Sequence, residues 1–223
     1  MIQFKAGFYA DVRTEDRYRT AISYKNGVPE EMKTRVEKRA FIRVYDGKMW
    51  YYASVTDLSN LQKTLDGLYS AATPNHAIAD DPIVKRFERN RDEVMRFKDC
   101  SVRDVTLAEK QALLLSYLPL LTEDKCVTMP QGLYLDRNSV FRFRSSLGAD
   151  VTYDYQTCGV SFSCSMTEGE KKFSGHWQKG GTKFDDVKGL ESDIRAAVKE
   201  QAAFMRNSVP VEPGKYPVVL SPG

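Results

Sequence analysis

The sequence predicts an α+β fold: two antiparallel β-meanders with helices packed on them, and a final helix followed by a buried strand. Three observations carry this prediction. Apolar and polar residues alternate with period two in two separate blocks, punctuated by turn pairs such as Asn26-Gly27 and Asp46-Gly47. Longer runs with helical spacing lie between and after those blocks. The helices do not alternate with single strands, which argues against a doubly wound α/β arrangement.

The first block starts at Phe8 to Arg13. Tyr9, Val12, Tyr18, Ala21, Ile22 and Tyr24 are strand-type residues, and Asn26-Gly27 turns the chain. Val28 to Lys38 is strongly polar and fits a solvated or edge strand. Ala40 to Tyr45 and Lys48 to Ser54 flank Asp46-Gly47 as the clearest hairpin in the chain. Thr56 or Asp57 then caps a helix whose apolar stripe is Leu58, Leu61, Leu65, Leu68 and Ala72. This completes a first unit, residues 1–73.

Residues 74–101 read as an irregular linker with a short helix starting at Asp81-Pro82, because proline suits the first helical position. Its mixed charge reads as a solvated face. Thr106 and Glu109 form a capping-box pattern that opens a helix running to Leu121. Ala112, Leu115 and Leu118 are among its inward candidates. The second meander follows as five strands: Cys126–Asp136, Ser139–Ser145, Ala149–Gln156, Val160–Met166 and Lys171–Gln178. Its turns fall at Arg137-Asn138, Leu147-Gly148, Cys158-Gly159 and Glu168-Gly169.

Gly180-Gly181 leads to the last helix, with Asp185 or Asp186 near its start. Its stripe is Leu190, Ile194, Ala197, Val198, Gln201 and Met205. Pro210 and Pro213 end it, and Tyr216, Val218, Val219 and Leu220 read as a buried strand before Ser221-Pro222-Gly223. An apolar strand needs a cover, so either this strand closes a second unit, residues 102–223, or the protein continues beyond it.

Bulk properties exclude several function classes. The chain has 223 residues, 42% hydrophobic and 28% charged, which is ordinary globular usage. A net charge of +3 does not mark a nucleic-acid binder. No apolar run approaches the roughly 20 residues that span a bilayer, so no membrane role is expected. The N-terminus has no signal-peptide core. Cys100, Cys126, Cys158 and Cys164 are scattered, which reads as reduced thiols in a cytoplasmic protein.

Motifs that carry chemistry are sparse. No P-loop, dinucleotide, nucleophile-elbow or H-E-x-x-H pattern occurs. Gly180-Gly181-Thr182-Lys183 lacks phosphate-loop spacing and reads as a connection. Cys158, Cys164 and His176 lack a fourth metal ligand, so core thiols are the simpler reading. Phe141, Phe143, Tyr153, Tyr155 and Phe162 could form a stacking platform if exposed between basic residues, but core packing explains the same alternation. No catalytic or metal residue is assigned, and the substrate-binding residues are unknown.

Three passages together resemble the TldD/PmbA family, modulators of DNA gyrase understood as zinc metallopeptidases. They are Tyr9-Ala-Asp-Val-Arg13, then Arg43 to Ser54 leading into Thr56-Asp57-Leu58, and Glu212 to Pro222. The chain departs from the family pattern at Tyr51-Tyr52, where Gly-Phe is common, and in lacking a helix before its first strand. The resemblance implies the non-catalytic N-terminal portion of a peptidase that acts on unstructured peptides. The zinc-binding His-Glu-x-x-x-His helix would lie in a C-terminal domain beyond this sequence. It implies a homo- or heterodimer with a family member, and no direct contact with nucleic acid. The full-length protein would be an enzyme and this chain alone inactive. A self-contained peptide- or protein-binding module is the alternative.

Overall fold

A computed structural model describes residues 2–220 of the chain. Seven strands form one sheet: β1 (Tyr9–Lys25), β2 (Val28–Tyr45), β3 (Trp50–Val55), β4 (Arg91–Val94), β5 (Val127–Ser145), β6 (Asp150–Glu168) and β7 (Lys171–Gly181). The order is β3-β2-β1-β5-β6-β4, with β7 also beside β6. All pairings are antiparallel except the short β4–β6 ladder. The α+β class and its antiparallel meanders hold, but the two blocks are halves of one sheet. β1 joins them by pairing with β5 from Asp11↔Ser145 to Lys25↔Gln131.

Local sequence explains the hairpins. Asn26 and Gly27 both have positive φ, 50° and 75°, which turns β1 into β2 with the twist that strands require. Asp46 accepts amide hydrogens from Lys48 and Met49 at 2.8 Å and so fixes the β2–β3 turn. The polar half of β2, residues 28–39, is an exposed edge strand, since β3 pairs only with 40–45.

The strands of the second block are longer than periodicity suggested. Arg137-Asn138 and Cys158-Gly159 are not turns; β5 and β6 each run straight through them for 19 residues. Asn138 is turn-prone by itself, but here it is paired on both sides, with Tyr18 and Gln156. Cross-strand hydrogen bonding overrides that local preference.

Three helices cover one face. α1 (Leu61–Ala71) follows a single 3-10 turn capped by Asp57, and buries Leu65 and Tyr69 against Ala10, Val12, Ile42 and Val44. α2 (Leu107–Leu121) begins with the expected capping box. Thr106 Oγ1 accepts the Glu109 N–H at 3.2 Å, and Glu109 accepts the Thr106 N–H at 2.9 Å. Its inward residues are Lys110, Leu114, Tyr117 and Leu121, whereas Ala112 and Leu115 are exposed. α3 (Glu191–Asn207) buries Ile194, Ala197, Val198, Ala202 and Met205, close to its expected stripe. It starts after a separate 3-10 turn, Phe184–Val187, that takes up Asp185 and Asp186.

α2 lies close to the sheet at Gly132. A Cβ there would come within 2.6 Å of Leu118 Cδ2 and 3.2 Å of Leu114 Cδ1. Gly132→Val should therefore destabilise the fold by about 1–3 kcal/mol, measured by urea unfolding, because overpacking forces the helix outward.

The stretch 74–101 is tied down. The helix expected at Asp81-Pro82 is only a 3-10 turn, Val84–Arg86, and residues 91–94 form β4 instead of continuing a helix. Phe87 stacks on Tyr9 with ring centres 4.4 Å apart, beside Tyr45 and Trp50. The chain then returns across the helix-covered face. Asp154 accepts the amides of Arg96 and Phe97, and buried Gln156 accepts the Val102 amide while donating to the Cys100 carbonyl. Arg103 bridges Asn138 and Asp16.

The buried strand expected at the C-terminal end is not present. Residues 209–220 have no regular structure, and Val218, Val219 and Leu220 are 76%, 94% and 87% exposed. Pro210, Pro213 and Pro217 remove amide donors from this segment, and no described strand lies beside it to pair with the rest. Ser221, Pro222 and Gly223 lie outside the described residues.

Candidate functional site

Residues paired across an antiparallel sheet share a face, and alternate residues along each strand do too. Even-numbered positions of β1 and β5, among them Tyr18, Ile22, Tyr134 and Asp136, face the helices. The odd positions face away. At the Tyr9 end this second face is covered by Ile78, Val84 and Phe87. Beyond the Asp11–Arg43 ion pair it carries no helix among the described residues, and the candidate site lies there.

Glu15 is its centre. The residue is only 5% exposed, and its carboxylate receives hydrogen bonds from four side chains. Arg17 Nε, Arg137 Nη2 and Ser139 Oγ each donate to Oε1 at 2.9 Å, and Arg39 Nε donates to Oε2 at 2.6 Å. Burial alone would raise its pKa. The hydrogen bonds from Arg17, Ser139 and Arg39, with the Arg17 charge, overcome burial and hold it at about 2. Three guanidinium groups thus share one carboxylate.

The register spreads further cations around this network. Arg35, Arg19 and Arg137 form one row across β2, β1 and β5. Arg13 lies over the Phe143 ring, 5.9 Å from its centre. Towards β3 the face hollows into an open groove of about 850 Å³, with Arg13, Arg39, Glu15, Phe41, Ser54 and Phe141 in its walls. The arrangement suits a ligand with anionic and apolar groups.

The motifs singled out in the sequence are not brought together. Cys158 and Cys164 point into the helix-covered core, whereas His176, paired with Ser163, lies on the opposite face. Burial, followed by the charges of Asp136 and Asp186, pushes the Cys158 thiol up to about 12. All four cysteines are free. Among the described residues, no group of three or more His, Cys, Asp or Glu side chains is placed to hold a metal ion, so these residues do not fit a zinc site. In the Gly180–Lys183 connection, the Thr182 and Lys183 amides donate to Asp186 at 2.8 and 2.9 Å. An internal carboxylate occupies the donors a phosphate would need.

The five rings divide between the faces. Phe162 is in the core, whereas Phe141 and Tyr153 stack on each other on the open face, with centres 5.0 Å apart. Composition alone did not reveal the arginine network. Its trace in the sequence is arginine at odd-numbered positions of one strand face, 17 and 19 in β1 and 35 and 39 in β2, with Arg137 far downstream.

A second buried polar cluster is structural. Lys110 Nζ lies 2.6 Å from Asp136 Oδ2, with both side chains fully buried. Lys110 also donates to the Val102 carbonyl and the Tyr18 and Thr20 hydroxyls. Asp136 further accepts the Thr20 amide and the Tyr134 hydroxyl. Burial first, then the Asp136 charge, raises the Tyr134 pKa, so its phenol remains a donor.

Residues 10–72 match the family described as PmbA/TldA metallopeptidase domain 1. The fold is also that of solved structures. A protein from Thermotoga maritima described as a modulator of a DNA gyrase aligns with a TM-score of 0.69 at 18% identity, over 93% of this chain and 47% of that one. A Bacteroides thetaiotaomicron protein described in the same way gives 0.65 at 15%, over 86% and 45%. TldE from Thermococcus kodakarensis gives 0.68 at 12%, over 92% and 46%. The chain spans less than half the length of each. No curated protein matches it in sequence. Residues 10–72 are therefore similar to a PmbA/TldA-type first domain. These likenesses agree with the resemblance to the TldD/PmbA family that the three sequence passages carry.

Proposed function

We propose that this chain is the N-terminal shell and substrate-access portion of a TldD/PmbA-like zinc metallopeptidase that acts on unstructured peptides. The match of residues 10–72 to the first domain of a metallopeptidase family carries this reading. The open groove beside Glu15 supports it, because an extended peptide can lie on a sheet face that no helix occupies. Units 1–73, 74–101 and 102–223 would form the front of the protein, and a C-terminal domain would supply zinc and the groups that activate water. The nearly full exposure of Val218, Val219 and Leu220 suits surface that the rest of a larger protein, or a dimer partner from the same family, covers. Four unpaired cysteines suit the cytoplasm. No described helix is long and apolar enough to cross a membrane. The same groove would serve a self-contained peptide-binding module, the second reading.

Both readings predict that the purified 223-residue chain binds an unstructured peptide without cleaving it. Metal analysis should find no stoichiometric zinc, and a denatured protein substrate should stay intact. Stoichiometric zinc together with hydrolysis would overturn the division of labour between this chain and a catalytic domain.

A further inference from the structure

We infer that the open face selects acidic polypeptide segments, binding Asp and Glu side chains of an extended chain through the arginine row. This deepens the peptide-access reading and rests on it. Between the rows of Arg13 and Lys33, the register puts seven cationic side chains on one face: Arg13, Arg17, Arg19, Lys33, Arg35, Arg39 and Arg137. Glu15 and Glu37 are the carboxylates in those rows, and Glu31 lies one row beyond. The imbalance is local, since the whole chain carries only +3.

The placement of these cations decides the matter. Arg35, Arg19 and Arg137 lie directly opposite one another on three adjacent strands, an arrangement of like charges that costs stability. Arg137 is paired with Glu15, but Arg19 and Arg35 have no ion pair among the described residues. An added carboxylate would offset their repulsion. Adjacent strands lie about 4.8 Å apart, and alternate residues of an extended peptide about 6.7 Å apart, a mismatch that long arginine side chains can bridge. The Phe41 and Phe141 walls of the adjoining groove would take an apolar side chain of the same segment.

Single-stranded nucleic acid is the competing anion, and the rings argue against it. Phe141 and Tyr153 lie face to face at an interplanar angle of 18°, and Arg13 covers Phe143. One face of each of these rings is covered, so they offer less to base stacking than free rings, and Tyr155, half exposed on the same side of the sheet, is the ring left for it.

The test is fluorescence anisotropy on the full chain with labelled peptides of equal length. They carry several glutamates, or glutamines or lysines at the same positions, and a single-stranded oligonucleotide is the fourth probe. The glutamate peptide should bind about tenfold or more tighter than the glutamine peptide at roughly 50 mM salt, and the difference should fade near 0.5 M. Arg19→Glu/Arg35→Glu should lose at least about tenfold in affinity for the glutamate peptide. Lys63→Glu/Lys199→Glu, on the helix-covered side, should leave it unchanged. The first variant replaces one pair of opposed like charges by another and breaks no ion pair, so its melting temperature should stay close to that of the native chain. Equal binding of the glutamate and glutamine peptides, or equal losses in both variants, would overturn the charge selectivity and leave peptide access standing. Failure of every peptide to bind would remove both. Tighter binding of the oligonucleotide than of any peptide would reassign the face to nucleic acid.

Discussion

Lys110→Met is expected to destabilise the chain by about 3–5 kcal/mol, among the largest effects of any single substitution, because it leaves the Asp136 carboxylate buried without its cation. The residual partners, the Thr20 amide and the Tyr134 hydroxyl, satisfy its oxygens but do not neutralise it. The double variant Lys110→Met/Asp136→Leu should recover part of the loss, since no charge is then buried unpaired, while the Thr20 amide and the Tyr134 hydroxyl lose their acceptor. Urea unfolding of the two single variants and the double variant closes the cycle. A coupling near zero would mean that Lys110 contributes by packing alone. The pair also fixes where α2 lies. Its partners come from β1, β5 and the Val102 segment, so one ammonium registers a helix against two strands and the chain that leads into it.

Glu15→Gln is expected to cost about 3–4 kcal/mol at neutral pH, from a folded pKa near 2 against an ordinary value of 4.5 and about 1.4 kcal/mol per unit. The sign follows from the direction of that shift. The unfolded chain binds the proton more readily, so the Glu15 contribution is fully present above about pH 4.5 and is lost as pH falls towards 2. Stability measured against pH should therefore rise through that window in the native chain and rise less steeply in the variant. Identical slopes would show that the arginines do not depend on this carboxylate. The substitution also leaves Arg17, Arg39 and Arg137 without their shared counter-charge. It should strengthen binding of acidic peptide even as it weakens the fold, which separates the two roles of the network.

Elements set by neighbouring residues were legible in the sequence. The Asn26-Gly27 and Asp46-Gly47 hairpins, the Thr106 capping box and the α3 stripe depend on contacts within a few residues, and each is where the sequence places it. The three passages that resemble the TldD/PmbA family are also local, and the match over residues 10–72 covers two of them. The candidate site was not legible. Its charges come from β1, β2 and β5, and only the ladder between residues 9–25 and 127–145 brings them to one face.

The sequence by itself determined the α+β class, the solvated edge of β2 and the caps, because turn chemistry, alternation and capping are properties of short segments. Tertiary structure alone decided four things: that the two meanders are one sheet, that β5 and β6 pass through Arg137-Asn138 and Cys158-Gly159, that Lys110 is buried, and that the apolar residues after Tyr216 are exposed. Each depends on a partner far away in the chain. A strand continues where another strand satisfies its amides, a lysine can be buried where a carboxylate waits for it, and an apolar run is buried only where a surface lies beside it.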